Sequence, residues 1–122
     1  MTDPGVDRRL SRAGGISYLH IPATDVRRSA AFYGAALGWT IHNADTDRPG
    51  FDDGGGCVSG AFVTDQQPST EPGFLLYVYV DRIDEAVDRI RRAGGEIVRA
   101  PYDEGNLRVA TFRDPAGNVV GL

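Results

Sequence analysis

The feature that most restricts how this chain can fold is a pattern that recurs at an interval of 57 residues. From Ile16 to Ile21 the residues alternate with the period of a β-strand, Leu19 and Ile21 on one face, Tyr18 and His20 on the other. Pro22 ends this strand, and Thr24 or Asp25 can cap the helix that follows. The apolar positions of that helix, Val26, Ala30, Tyr33 and Leu37, form one stripe, and Gly38 stops it. The second statement begins with a strand over Leu75–Val80 and continues with a stripe through Ile83, Val87, Ile90 and Gly94. The shift carries Leu19 onto Leu76, Ile21 onto Val78, Val26 onto Ile83, Ala30 onto Val87, Tyr33 onto Ile90 and Gly38 onto Gly95.

Short strand candidates follow each helix: 39–43, around Phe51 and 58–64 in the first half, then 96–100, 107–113 and 119–122 in the second. Between the last two, Asp114-Pro115-Ala116-Gly117-Asn118 is a tight reversal, with proline setting a turn φ and glycine free to take a positive one. Each half therefore reads βαβββ. The expected fold class is α+β, two tandem βαβββ modules (about 15–66 and 73–122) forming an open, cleft-bearing eight-stranded sheet within one domain, 15–122. Such a sheet buries one face against the helices and leaves the other concave. Residues 1–14 carry proline, glycine and charge without periodicity and are expected to form a flexible N-terminal segment.

Composition narrows the partners. Hydrophobic residues at 41% and charged residues at 25% are those of a soluble globular protein. With Cys57 as the one cysteine, no intramolecular disulfide or cysteine-rich zinc site can form, which points to a reducing, cytoplasmic setting. No apolar run approaches the roughly 20 residues that span a bilayer, so no membrane partner is expected. The net charge is −4 and the thirteen basic residues, all arginines, are scattered, which argues against nucleic acid.

The stretch HIPATDVRRSAAFYGAALGW from His20, with DRIDEAVDRIRRAGG from Asp81 and FRDPAGNVVGL from Phe112, resembles the glyoxalase, bleomycin-resistance and extradiol-dioxygenase (vicinal oxygen chelate) superfamily over residues 16–122. The resemblance implies a glyoxalase-like fold and a homodimer. It leaves the activity open, because this family includes lyases, epimerases, dioxygenases, antibiotic-modifying transferases and proteins that only sequester a drug. Its metal-dependent members hold a divalent ion through His or Glu from the first and last strands of each half. The corresponding positions here are Tyr18, Leu75 and Gly121, and Cys57–Thr64 offers no His, Asp or Glu. Leucine and glycine side chains present no ligand atom, so neither a metal nor another cofactor is expected.

If Leu19, Ile21, Leu76, Val78 and Val80 pack under the helices, parity sends Tyr18, His20, Leu75, Tyr77 and Tyr79 to the concave face. With His42 and Phe51 these make the candidate ligand-binding set; the facing of His42 is open. Tyrosine offers broad apolar area and an orienting hydroxyl, which suits a hydrophobic or aromatic small molecule, and also suits ordinary strand packing. Asp45, Asp47, Asp52 and Asp53 ahead of Gly54-Gly55-Gly56 read either as a solvated turn or as an acidic rim for a cationic ligand. Two functions stay open. One is a metal-free binding protein of the bleomycin-resistance type. The other is an enzyme of the same superfamily, a lyase, isomerase or dioxygenase-like protein, using His20 as acid and base or a relocated metal.

Overall fold

A computed structural model describes residues 7–122. Residues 1–6 of the expected N-terminal segment lie outside the described residues. Residues 7–15 form turns, with an Asp7–Arg9 ion pair at 2.9 Å.

The first half runs β1 (Tyr18–Pro22), α1 (Val26–Leu37), β2 (Thr40–His42), β3 (Gly50–Asp52) and β4 (Ser59–Val63). Asp25 is the residue that caps α1, its carboxylate accepting from the Arg28 N–H at 3.1 Å, and Gly38 closes the helix in the left-handed region at φ 71°. The four strands form one sheet in the order β1-β4-β3-β2, with β1 and β4 parallel and the other pairs antiparallel.

The second half runs α2 (Ile83–Arg92), β5 (Glu96–Glu104), β6 (Leu107–Arg113) and β7 (Val119–Gly121). Helix α2 begins 57 residues after α1, as the repeat requires. Its first turn is acidic, Asp84 and Glu85, and its last turn basic, Arg89, Arg91 and Arg92, complementing the helix dipole. Strands β5-β6-β7 form a second, antiparallel sheet. The eighth strand expected over 75–80 is reduced to a single parallel bridge, Tyr77 to Gly121. Two hydrogen bonds make it, Val78 N–H to the Gly121 carbonyl at 2.9 Å and Gly121 N–H to the Leu76 carbonyl at 2.7 Å. The bridge lies at Gly121, the last residue of β7. The bridge repeats the parallel β1–β4 pairing of the first half. The fold is α+β with two helices and two sheets, four and three strands, rather than one continuous eight-stranded sheet.

Both helices lie against each other and against their sheets, which explains why α1 buries Ser29, Ala30, Phe32, Tyr33 and Ala36, a wider face than one stripe. The Arg89 Nε donates to the Ala36 carbonyl at 3.1 Å and ties the helices at their ends. Gly95 permits the close approach: a Cβ there would lie 2.8 Å from the Phe32 ring and 2.7 Å from Ile90. The core beneath the first sheet is a run of rings, Tyr33 stacked on Trp39 at 4.7 Å, Trp39 on Phe51 at 4.7 Å, and Phe51 tilted against Phe62 at 5.3 Å.

A buried polar knot joins the halves. Asp114 in the β6–β7 turn accepts from the Ala116 and Asn118 N–H groups, from the Asn118 amide and from the Tyr33 hydroxyl of α1, the last at 2.8 Å. The same Asn118 amide donates to the Pro22 carbonyl at the end of β1 at 2.7 Å. Burial, then the Asp114 charge, pushes the Tyr33 phenol well above the usual tyrosine range.

Candidate functional site

Of the seven residues expected to meet a ligand, six are distributed over three places, and Leu75 is in none of them. Phe51 is in none of the open ones. It is fully buried between Trp39 and Phe62, because its neighbours Gly50 and Asp52 take the open side of β3 and parity turns Phe51 under the sheet. Gly60 opposite it must lack a side chain, since a Cβ there would overlap the Leu19 carbonyl and the Phe51 ring.

Tyr18, His20 and His42 share the open face of the first sheet, away from α1. Ile41 packs toward α1 beneath Gly34, so Thr40 and His42 face outward. Tyr18 and His20 meet edge to face at 5.5 Å, and among the described residues no carboxylate bonds His20. His42 does have one: its Nε2 lies 2.9 Å from Asp52 Oδ2. His42 holds the Asp52 carboxyl below the usual carboxylate range, with the Ser59 hydroxyl adding to the effect. The sequence left the facing of His42 open and did not join it to Asp52. The only signal was the spacing His42 to Asp52, which a hairpin between β2 and β3 turns into neighbours on one face. Of the other loop aspartates, Asp53 is structural, accepting from the Gly56 N–H at 2.8 Å, and the Asp45 carbonyl accepts from Arg27 at 2.9 Å.

Tyr77 and Tyr79 lie elsewhere, on a cleft of about 760 Å³ over the second sheet. Its apolar walls are Val78, Val80, Ile83, Leu107, Val109 and Leu122, and its polar edge is Asp81, Glu104, Asn106 and Arg108. Tyr79 is 87% exposed and Tyr77 51%. Leu75, partly exposed, does not line this cleft. A smaller hollow of about 370 Å³ adjoins it, sharing Tyr79, Val80 and Asp81 and reaching Arg82, Glu85 and Arg89.

The inherited metal positions do not fit a divalent ion. Gly121 lies against the Tyr77 ring, which a Cβ at Gly121 would approach to 2.5 Å, so the ring takes the space a ligating side chain would need. Among the described residues no three His, Cys, Asp or Glu side chains converge as a metal would require. No helix among them is long and apolar enough to cross a membrane.

A βαβββ half and a half of one helix and three strands, with the helices packed together, an aromatic core under one sheet and an open cleft over the other, define an α+β protein of two related parts. The Glyoxalase/Bleomycin resistance protein/Dioxygenase superfamily profile matches residues 15–122, and the chain belongs to that superfamily. It is 27% identical to CFP32 of Mycobacterium tuberculosis, over 91% of this chain and 46% of that protein. It is 31% identical to the anthracycline biosynthesis protein DnrV of Streptomyces peucetius, over 85% of this chain and 44% of that one. The chain thus spans about half the length of these relatives. Among solved structures it is similar to TnmS3, an antibiotic binding protein from Streptomyces sp. CB03234, with TM-score 0.68 and 24% identity over 89% of this chain and 93% of that one.

Proposed function

We propose that this protein binds a hydrophobic or aromatic small molecule, without a metal, in the cleft over its second sheet. The cleft carries the reading. Its volume, about 760 Å³, falls in the range of roughly 300–1,000 Å³ typical of drug-sized ligands. Tyr77 and Tyr79 supply flat contact area with hydroxyls to fix orientation, over a floor of Val109 and Leu122. DnrV, named for anthracycline biosynthesis, and TnmS3, named for antibiotic binding, support a planar natural product as the ligand class. A homodimer, as the resemblance to this superfamily implies, is the assembly expected. The single, half-buried Cys57 suits a reducing cytoplasm.

Titration with an anthracycline, followed by its fluorescence polarisation and by the melting temperature of the protein, tests the cleft. Saturable binding with a raised melting temperature is expected, and Leu107→Arg, at an exposed position on the cleft wall, should abolish it without unfolding the protein. Absence of binding across a panel of planar polycyclic compounds, or binding unchanged by Leu107→Arg, would refute the assignment.

A further inference from the structure

We propose that His42 and Asp52 form a proton-transfer site on the open face of the first sheet, with His42 as general base toward a flat carbon acid and Asp52 as its positioning residue. This site is separate from the cleft over the second sheet and does not rest on that reading.

A carboxylate only accepts hydrogen bonds, so the neutral His42 ring facing Asp52 Oδ2 at 2.9 Å carries its proton on Nε2. The lone pair then sits on Nδ1, which has no hydrogen-bond partner among the described residues, and the His42 side chain is half exposed. An oriented imidazole with one nitrogen bound to a carboxylate and the other open to solvent is the arrangement of a general base, since the carboxylate stabilises the imidazolium that forms. Asp52 is held more firmly than its partner: its side chain is 20% exposed, and Ser59 lies opposite it in β4. Arg9, bonded to Asp7, is the other charge near Asp52.

Strand register supplies the space. His42 pairs with Gly50, Gly50 with Ala61 and Ala61 with His20, so a row across all four strands has a histidine at each end and only small residues between. Three inter-strand steps of about 4.8 Å separate the ends by roughly 14 Å. A planar molecule of two or three fused rings can lie on Gly50 and Ala61 with one end at His42 and the other against the Tyr18–His20 edge. For a ligand with a C–H beside a carbonyl, His42 Nδ1 takes the proton and the C–H electron pair moves into the carbonyl as an enolate. The imidazolium returns the proton to the oxygen or to another carbon, completing an enolisation or isomerisation in which atoms and charge balance. No oxidant or metal is consumed.

His42 presents an open Nδ1 while its other nitrogen is held by a carboxylate. That makes a simple carbon-acid probe informative. With 5-nitrobenzisoxazole, a base removes the ring C–H proton while the N–O bond breaks, releasing a coloured cyanonitrophenolate. The wild-type protein should exceed His42→Ala by on the order of 10²-fold. Asp52→Ala should lose about tenfold, and Asp103→Ala, which removes an exposed carboxylate on the second sheet, should match the wild type. Melting temperatures of the variants report whether they fold, and nitrogen NMR of the two histidines gives a readout independent of rate: His42 should hold its neutral proton on Nε2 and lose that preference in Asp52→Ala. Equal rates for wild type and His42→Ala, an equal loss in Asp103→Ala, or a His42 proton resident on Nδ1 in the wild type would each overturn the proposal.

Discussion

Replacing Asp114 by alanine should cost this protein more stability than any other single carboxylate removal. Asp114 is 4% exposed and accepts four hydrogen bonds, from Ala116 N–H, Asn118 N–H, the Asn118 amide and the Tyr33 hydroxyl. Alanine removes every acceptor at once. The turn N–H groups can turn to water, and the Asn118 amide keeps the Pro22 carbonyl, but the Tyr33 hydroxyl, on a residue 1% exposed, is stranded. An unsatisfied buried donor costs about 1–3 kcal/mol, and losing the buried charge-assisted bonds of the turn brings the total to roughly 3–5 kcal/mol. Against a domain stability of about 5–15 kcal/mol this is a large fraction. Urea unfolding should show it as a lower midpoint with an unchanged slope. Asp103→Ala is the control, because Asp103 meets Arg108 at 3.3 Å with its side chain 80% exposed and should cost less than about 1 kcal/mol. A loss in Asp114→Ala no larger than that of Asp103→Ala would refute the claim that this knot holds the two halves together. A double-mutant cycle with Tyr33→Phe should give a coupling of about 1–3 kcal/mol, since the two residues share one bond.

Four further outcomes follow from single positions. Gly60→Ala should destabilise by more than about 3 kcal/mol in chemical denaturation, because the new methyl meets the Leu19 backbone, which cannot yield. Gly121→Ala should cost much less, since the half-exposed Tyr77 ring can swing aside, and its readout is instead an altered cleft in ligand titration. Ser29, 1% exposed, has a hydroxyl with no hydrogen-bond partner among the described residues, so Ser29→Ala should raise stability by up to about 1 kcal/mol; a loss would show that the hydroxyl is satisfied in solution. The Tyr33 phenol has a folded pKa raised above its unfolded value of about 10, so its contribution is complete below that pH and declines as pH rises beyond it. Melting temperatures of the wild type should therefore fall above pH ~10, and Tyr33→Phe should flatten that limb.

The elements were legible to the extent that local pattern defines them. Strand β1, both helices, Gly38 as a stop and the 114–118 turn follow from periodicity, caps and turn chemistry within a few residues of chain. The segment 75–80 was equally strand-like by pattern, with Val78 and Val80 packed on the core as parity requires, yet it forms one bridge, since pairing depends on where distant chain is placed. Phe51 shows the corresponding limit for the site. A short strand around Phe51 was expected and forms as Gly50–Asp52, but it turns the ring into the aromatic core and not toward a ligand.

The sequence by itself therefore determined the duplication, the family and the absence of the inherited ligands, because each is written in residue identity and short-range period. Only the tertiary structure decided which side chains share a surface. Of the seven candidate residues five fell on two separate faces, Phe51 became a core ring and Leu75 lined neither face, and His42 acquired Asp52 through strand register. Register is set by long-range pairing and by which face each strand must bury, and neither is visible until the strands are brought together.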